Sequence, residues 1–105
     1  MADRLGIRPR ARLDVVELAT AIGERSVLAA DRFLDACETT FELLSQTPGL
    51  GGKYDSADGK VHGLRVFPVR EFRKYLVFYS ERESGTVIVR VLHGASDLDA
   101  ALFRD

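Results

Sequence analysis

The spacing of apolar residues changes part-way along this chain, and that change sets the order of its elements. In the first half, apolar side chains recur three and four positions apart, as on one face of a helix. In the second half they alternate or run together, as in strands. Ala11, Val15, Leu18 and Ile22 share one helical face. They predict a helix from about Pro9, which suits a first turn, to Gly23, which suits a terminus. Leu13 and Val16 lie off that face, either incidentally or as part of a second contact surface. A longer stripe of Ala30, Phe33, Leu34, Cys37, Phe41 and Leu44 predicts a second helix, from Ser26 as its N-cap to about Gln46. The short connection makes the pair an antiparallel hairpin.

Residues 4–8 read as a short strand before the first helix. Thr47-Pro48-Gly49 ends the second helix, and the glycine run at 49–52 supplies a turn. Residues 53–60 are polar and are expected to be an exposed loop. Strands are expected at 61–69, at 75–80, whose continuous apolar run marks a central strand, and at 86–92. A charged connection at 70–74 and a hairpin turn at 81–85 would join them. A short helix closes the chain, with Asp97 as its N-cap and Asp99 in its first turn. The order β-α-α-β-β-β-α predicts an α+β fold: an N-terminal strand, a helical hairpin, then a three-stranded antiparallel meander, with the helices packed on one sheet face. The first strand joins that sheet at an edge or inside it.

At 105 residues the chain is expected to be one domain, residues 1–105. No apolar run is long enough to span a bilayer, and the opening MADRLGIRPR has no apolar signal core, so a cytoplasmic protein is expected. The lone Cys37 sits inside the apolar stripe and reads as a buried thiol. The net charge of −1 hides a segregation. Residues 13–50 carry two basic and seven acidic groups, whereas residues 51–94 carry eight basic and five acidic ones. The helical half is therefore acidic and the strand-rich half basic.

The chemistry-bearing residues gather at the end of the last strand, in Val87 to Asp97, VIVRVLHGASD. His93 is the residue type that serves as a general base near neutral pH. Beside it, Arg90 and the mid-strand Arg65 could stabilise a phosphorane or bind an anion. Strict alternation would put Ile88 and Arg90 on one face, and Val87, Val89 and Val91 on the other. The alternative is structural: His93 and Arg90 tie the strand end to Asp97, and the arginines lie on a solvated or salt-bridged face. Tyr75 and Tyr79 share a face of the central strand and read as core. No zinc-type spacing, phosphate-binding loop or nucleophile motif is present, and neither a metal nor a cofactor is expected.

Several stretches, in order, resemble the RelE/ParE superfamily of toxins from bacterial type II toxin–antitoxin modules. They are Ala11, Asp14, Val15, Leu18 and Ile22 in the first helix, then Leu43, Leu44, Pro48 and Gly49. Gly63-Leu64-Arg65 follows, then Tyr75, Val77 and Tyr79, and finally Val87, Val89 and the run Arg90 to Ala95 with Asp97. The RVLHGA–D ending is similar to the ParE branch. The resemblance implies a toxin that inhibits DNA gyrase and is neutralised by a ParD-like antitoxin in a hetero-oligomer, without direct sequence-specific DNA binding or a membrane. It implies a target-binding face of Arg65, Arg90, His93 and Asp97. Leu13 and Val16 would then be an antitoxin-binding groove. The RelE branch implies instead a ribosome-dependent messenger RNA endonuclease. Ser96 stands where the branch pattern has Arg, which removes a cation and implies an attenuated toxin kept for complex formation as a third reading.

Overall fold

A computed structural model describes residues 4–104, with the side chain of Arg104 left out. The elements run β1 (Leu5–Ile7), α1 (Pro9–Gly23), α2 (Val27–Gln46), a single 3-10 turn (Pro48–Leu50), β2 (Gly52–Tyr54), β3 (Leu64–Val69), β4 (Phe72–Arg82), β5 (Gly85–His93) and α3 (Leu98–Arg104). Both long helices keep the expected bounds because their stripes keep helical period over their whole length. Ser26 caps α2 through its Oγ, which accepts from the Ala29 amide at 3.0 Å.

The sheet has five strands in the order β1-β5-β4-β3-β2. β1 runs parallel to β5 at one edge, and the other pairs are antiparallel. The expected meander is therefore longer by one strand. Gly52–Tyr54, read from sequence as turn and loop, pairs with Leu64–Val66 and forms the far edge. Residues 72–74 of the expected charged connection belong to β4, where Phe72 pairs with Val69 and Tyr75 with His93. The turn proper is two residues, Glu83 and Ser84, because Arg82 pairs with Gly85. A side chain at position 85 would put its Cβ 2.1 Å from the Arg4 carbonyl oxygen, and Gly85 has φ +125°, so only glycine lets β1 lie this close.

Two apolar cores sandwich the sheet. The first buries Ala11, Val15 and Ala19 of α1 and Phe33, Cys37, Phe41 and Leu44 of α2 against Val69, Val77, Tyr79, Ile88 and Val91. The second lies on the opposite face, where Leu102 of α3 packs with Val61, Phe78 and Leu92. The helical hairpin thus covers one face, as expected, and α3 covers part of the other. Tyr79 is fully buried; its hydroxyl donates to the Pro48 carbonyl at 2.6 Å and accepts from the Gly51 amide at 2.8 Å. That bond pair fixes the chain where it leaves α2 and enters β2.

Candidate functional site

The phase of β5 decides where its arginine points. Phe78 pairs with Arg90 and Tyr79 with Ile88, so Val89 is an unpaired bulge residue. The bulge resets the alternation: Ile88 and Val91 both join the core under the helices, while Arg90 takes the face of Phe78. Arg65 pairs with Tyr79 and so belongs to the helix-covered face. The expected pairing of Arg65 and Arg90 on one sheet face is therefore corrected: they lie on opposite faces.

Arg90 is also buried rather than exposed. Its Nε donates to Asp14 Oδ2 at 2.7 Å, its Nη2 to Asp14 Oδ1 at 3.0 Å, and its Nη1 to the Ala101 carbonyl at 2.9 Å. Asp14 Oδ2 accepts as well from the Val91 amide, which lies beyond the end of β1, where β5 has no strand neighbour on that side. The carboxylate thus does the work of a missing strand at that edge. Sequence reasoning used Asp14 only as part of a resemblance. Its signal was an Asp three residues after Ala11 and four before Leu18, on the face that packs inward.

Arg65 is half-buried and held at both ends, by Gly51 O at 2.7 Å from Nη1 and by Glu81 Oε1 at 3.3 Å from Nε. It sits opposite Tyr79, whereas His93 sits opposite Tyr75. Four residues of strand separate those positions, roughly 13 Å. The expected face of Arg65, Arg90, His93 and Asp97 is therefore not one cluster.

His93 and Asp97 do come together, in the turn after β5. The His93 carbonyl accepts from the Ser96 amide at 3.0 Å and from the Ser96 hydroxyl. Its ring lies edge-on to Tyr75, with centroids 5.0 Å apart. Gly94 ties the turn to β4 by donating to the Lys74 carbonyl at 2.7 Å. Asp97 is exposed and caps α3, its Oδ1 accepting from the Ala100 amide at 3.3 Å. His93 Nδ1 accepts from the Ala95 amide at 3.0 Å. A nitrogen that accepts carries no proton, so the neutral ring has its hydrogen on Nε2. Nε2 is then a donor, and the ring's only free lone pair is spent inside the turn.

Leu13 and Val16 are 47% and 58% exposed on the outer side of α1. Leu34, read as part of the α2 core stripe, is 39% exposed instead, and Val27 and Leu28 are exposed near the start of α2. Among the described residues, no three His, Cys, Asp or Glu side chains converge as metal ligands, and no helix is long and apolar enough to cross a membrane.

This succession of strand, helical hairpin and meander is matched in sequence as well. A family model described as the ParE toxin of the type II toxin–antitoxin system, parDE, matches residues 5–98. The chain belongs to the ParE toxin family. The match runs from β1 to the first residue of α3 and includes the His93–Asp97 turn. No curated protein matches the chain. Membership agrees with the mixed α+β architecture and places the chain among toxins of type II toxin–antitoxin modules.

Proposed function

We propose that this ParE-family chain inhibits DNA gyrase and is neutralised by direct binding of a cognate ParD-like antitoxin. The observation that carries the reading is the match to the ParE family over residues 5–98. The geometry of the turn supports it over messenger RNA cleavage. A ribonuclease using the substrate's own 2′-hydroxyl needs a base, a cation at the phosphorane and an acid within reach of one phosphate. Here the His93 lone pair is taken by Ala95, Arg90 is taken by Asp14, and Arg65 lies about four strand residues away. What remains at the strand end is a rigid, polar projection suited to docking: His93 Nε2, the Gly94–Ser96 backbone and the Asp97 carboxylate.

The antitoxin is assigned to the outer face of α1. Exposed Leu13 and Val16 lie three residues apart on one helical face, the spacing that an amphipathic helix of a partner would cover. Such a segment folds as it binds.

The test is supercoiling of relaxed plasmid by purified gyrase with increasing amounts of antitoxin-free protein, followed by denaturation to reveal trapped cleavage complexes. Loss of supercoiling with linear DNA is expected. Undiminished supercoiling with folded protein would sink the gyrase reading. One observation favours a second reading, an attenuated toxin kept for complex formation. Ser96 replaces the Arg of the branch pattern, and its hydroxyl turns back to His93 O, so the turn gains no cation. Growth arrest on expression without antitoxin would exclude it.

A further inference from the structure

A cleft on the sheet face opposite the helical hairpin is lined by three cations, with His62 beside them and no carboxylate among its described lining residues. Arg8 comes from the residue between β1 and α1, Arg82 from the end of β4, and Lys60 and His62 from the loop between β2 and β3; Leu102 and Phe103 of α3 form an apolar wall. The cleft holds about 420 Å³. Other clefts on the described surface mix their charges: Glu42 and Glu81 stand with Arg82, Asp55 and Glu81 with Arg65, and Asp35 and Glu71 with Arg70. The nearest loop carboxylates serve their own loop. Asp58 accepts from Ser56 Oγ at 2.8 Å and from the Lys60 amide at 3.0 Å, and Asp55 accepts from the Gly63 amide at 3.3 Å.

Arg82 uses only Nε, toward Ser80 Oγ at 3.3 Å. Its two terminal nitrogens have no partner among the described residues, and neither Arg8 nor Lys60 has an ion pair there. Like charges gathered around one cleft repel, and in a chain of net charge −1 they are not the by-product of a basic protein. The arrangement is one that a polyanion completes. Phe103 identifies which polyanion. Its ring is 59% exposed and lies beneath Lys60, with Nζ 5.3 Å from the centroid. An acidic peptide satisfies the cations, but its charges and any ring-covering side chain come in no fixed alternation. A single-stranded nucleic acid offers both a regular row of charges and unpaired bases that stack.

We propose that this cleft binds the phosphate backbone of a single-stranded nucleic acid, with Arg8, Lys60 and Arg82 on phosphates and a base stacked on the face of Phe103 that Lys60 does not cover. The proposal is independent of the gyrase reading, because it requires binding with no gyrase present.

The experiment is fluorescence anisotropy of a labelled oligothymidylate of about twelve nucleotides with the full chain, free of antitoxin, at rising salt. Saturable binding is expected, with log affinity falling against log salt at a slope of about −2, about −0.7 for each of three phosphates. Arg82→Gln and Lys60→Gln each weaken binding and flatten the slope by about 0.7. Phe103→Leu weakens binding and leaves the slope unchanged. Arg12→Gln, on the exposed side of α1, changes neither, and circular dichroism verifies that each variant is folded. An oligouridylate of equal length compares the two sugars, and saturable binding of either supports the proposal. Absence of saturable binding at about 20 mM salt, where phosphate contacts are strongest, overturns it. So does a slope unchanged in Arg82→Gln, and so does displacement of the oligonucleotide by polyglutamate at equal charge, which would assign the cleft to an acidic protein.

Discussion

Arg90 and Asp14, 76 residues apart in sequence, form a two-point ion pair in which both side chains are buried, at 6% and 4% exposure. The pair joins three elements, because Asp14 also holds the Val91 amide and Arg90 also holds the Ala101 carbonyl. A buried pair gains little over apolar residues of the same shape, but removing Arg90 leaves the buried Asp14 carboxylate with only the half-exposed Arg10, 3.5 Å away, as counter-charge. Arg90→Ala is expected to cost roughly 3–5 kcal/mol in urea unfolding. Asp14→Leu together with Arg90→Met is expected to cost less than the two single changes added. A double-mutant cycle checks the coupling, and additive losses would mean that the two residues act separately.

That pair also marks where the sequence ceases to predict the structure. Helical period is local, so α1, α2 and the Ser26 cap could be read directly from the chain. Three residues of β2 are too few to show a period, and Gly52-Lys53-Tyr54 becomes a strand only because Leu64–Val66 lies beside it. The extra residue at Val89 has no signature in an unbroken apolar run, yet it reverses the side on which Arg90 emerges. The candidate turn was legible as a cluster of polar residues at a strand end. Its internal bonds were not, because the Ala95–His93 contact depends on backbone geometry.

Leu13→Glu and Val16→Glu are expected to leave stability within about 0.5 kcal/mol, since neither side chain is in a core. Each is expected to weaken antitoxin binding at least tenfold, because a charge is placed against an apolar partner surface. Titration calorimetry with the antitoxin's C-terminal segment measures it. Unchanged affinity in both variants would move the antitoxin off α1.

Gyrase inhibition should follow the turn and not the arginines beside it. Asp97→Ala removes the α3 cap and is expected to cost about 1 kcal/mol. His93→Ala removes both the outward donor and the Tyr75 contact. Both variants are expected to lose supercoiling inhibition while remaining folded. Arg65→Ala, whose side chain serves Gly51 and Glu81, is expected to retain it. Full inhibition by His93→Ala would place the gyrase contact elsewhere.

Burial, with a smaller contribution from the neighbouring Glu38, pushes the Cys37 thiol up to about 12 from its ordinary 9.0. A rise of that size leaves about a thousandfold fewer thiolates near pH 8, and the thiolate is the nucleophile. Labelling with a disulfide reagent at pH 8 is therefore expected to be at least about a thousandfold slower in native protein than in urea. Rapid labelling of native protein would mean that the core between α2 and the sheet opens readily.

The alkaline limb of stability is expected to report on α3. The Tyr54 hydroxyl donates to Asp99, which joins β2 to that helix. That hydrogen bond, then burial and the nearby Asp99 and Asp97 charges, raises the phenol to about 12 from its ordinary 10.0. A folded-state value above the unfolded one favours the protonated, folded form. The stabilisation is fully present below pH 10 and is lost as pH rises through about 12. Tyr54→Phe removes the hydroxyl and keeps the ring against Phe78, whose centroid is 5.2 Å away. The variant is expected to be less stable by about 1 kcal/mol at pH 8, with the difference shrinking above pH 10. Urea unfolding of both proteins from pH 8 to about 11.5 measures it, across the window that linkage defines. An equal difference at both ends of that range would mean that the phenol does not donate to Asp99.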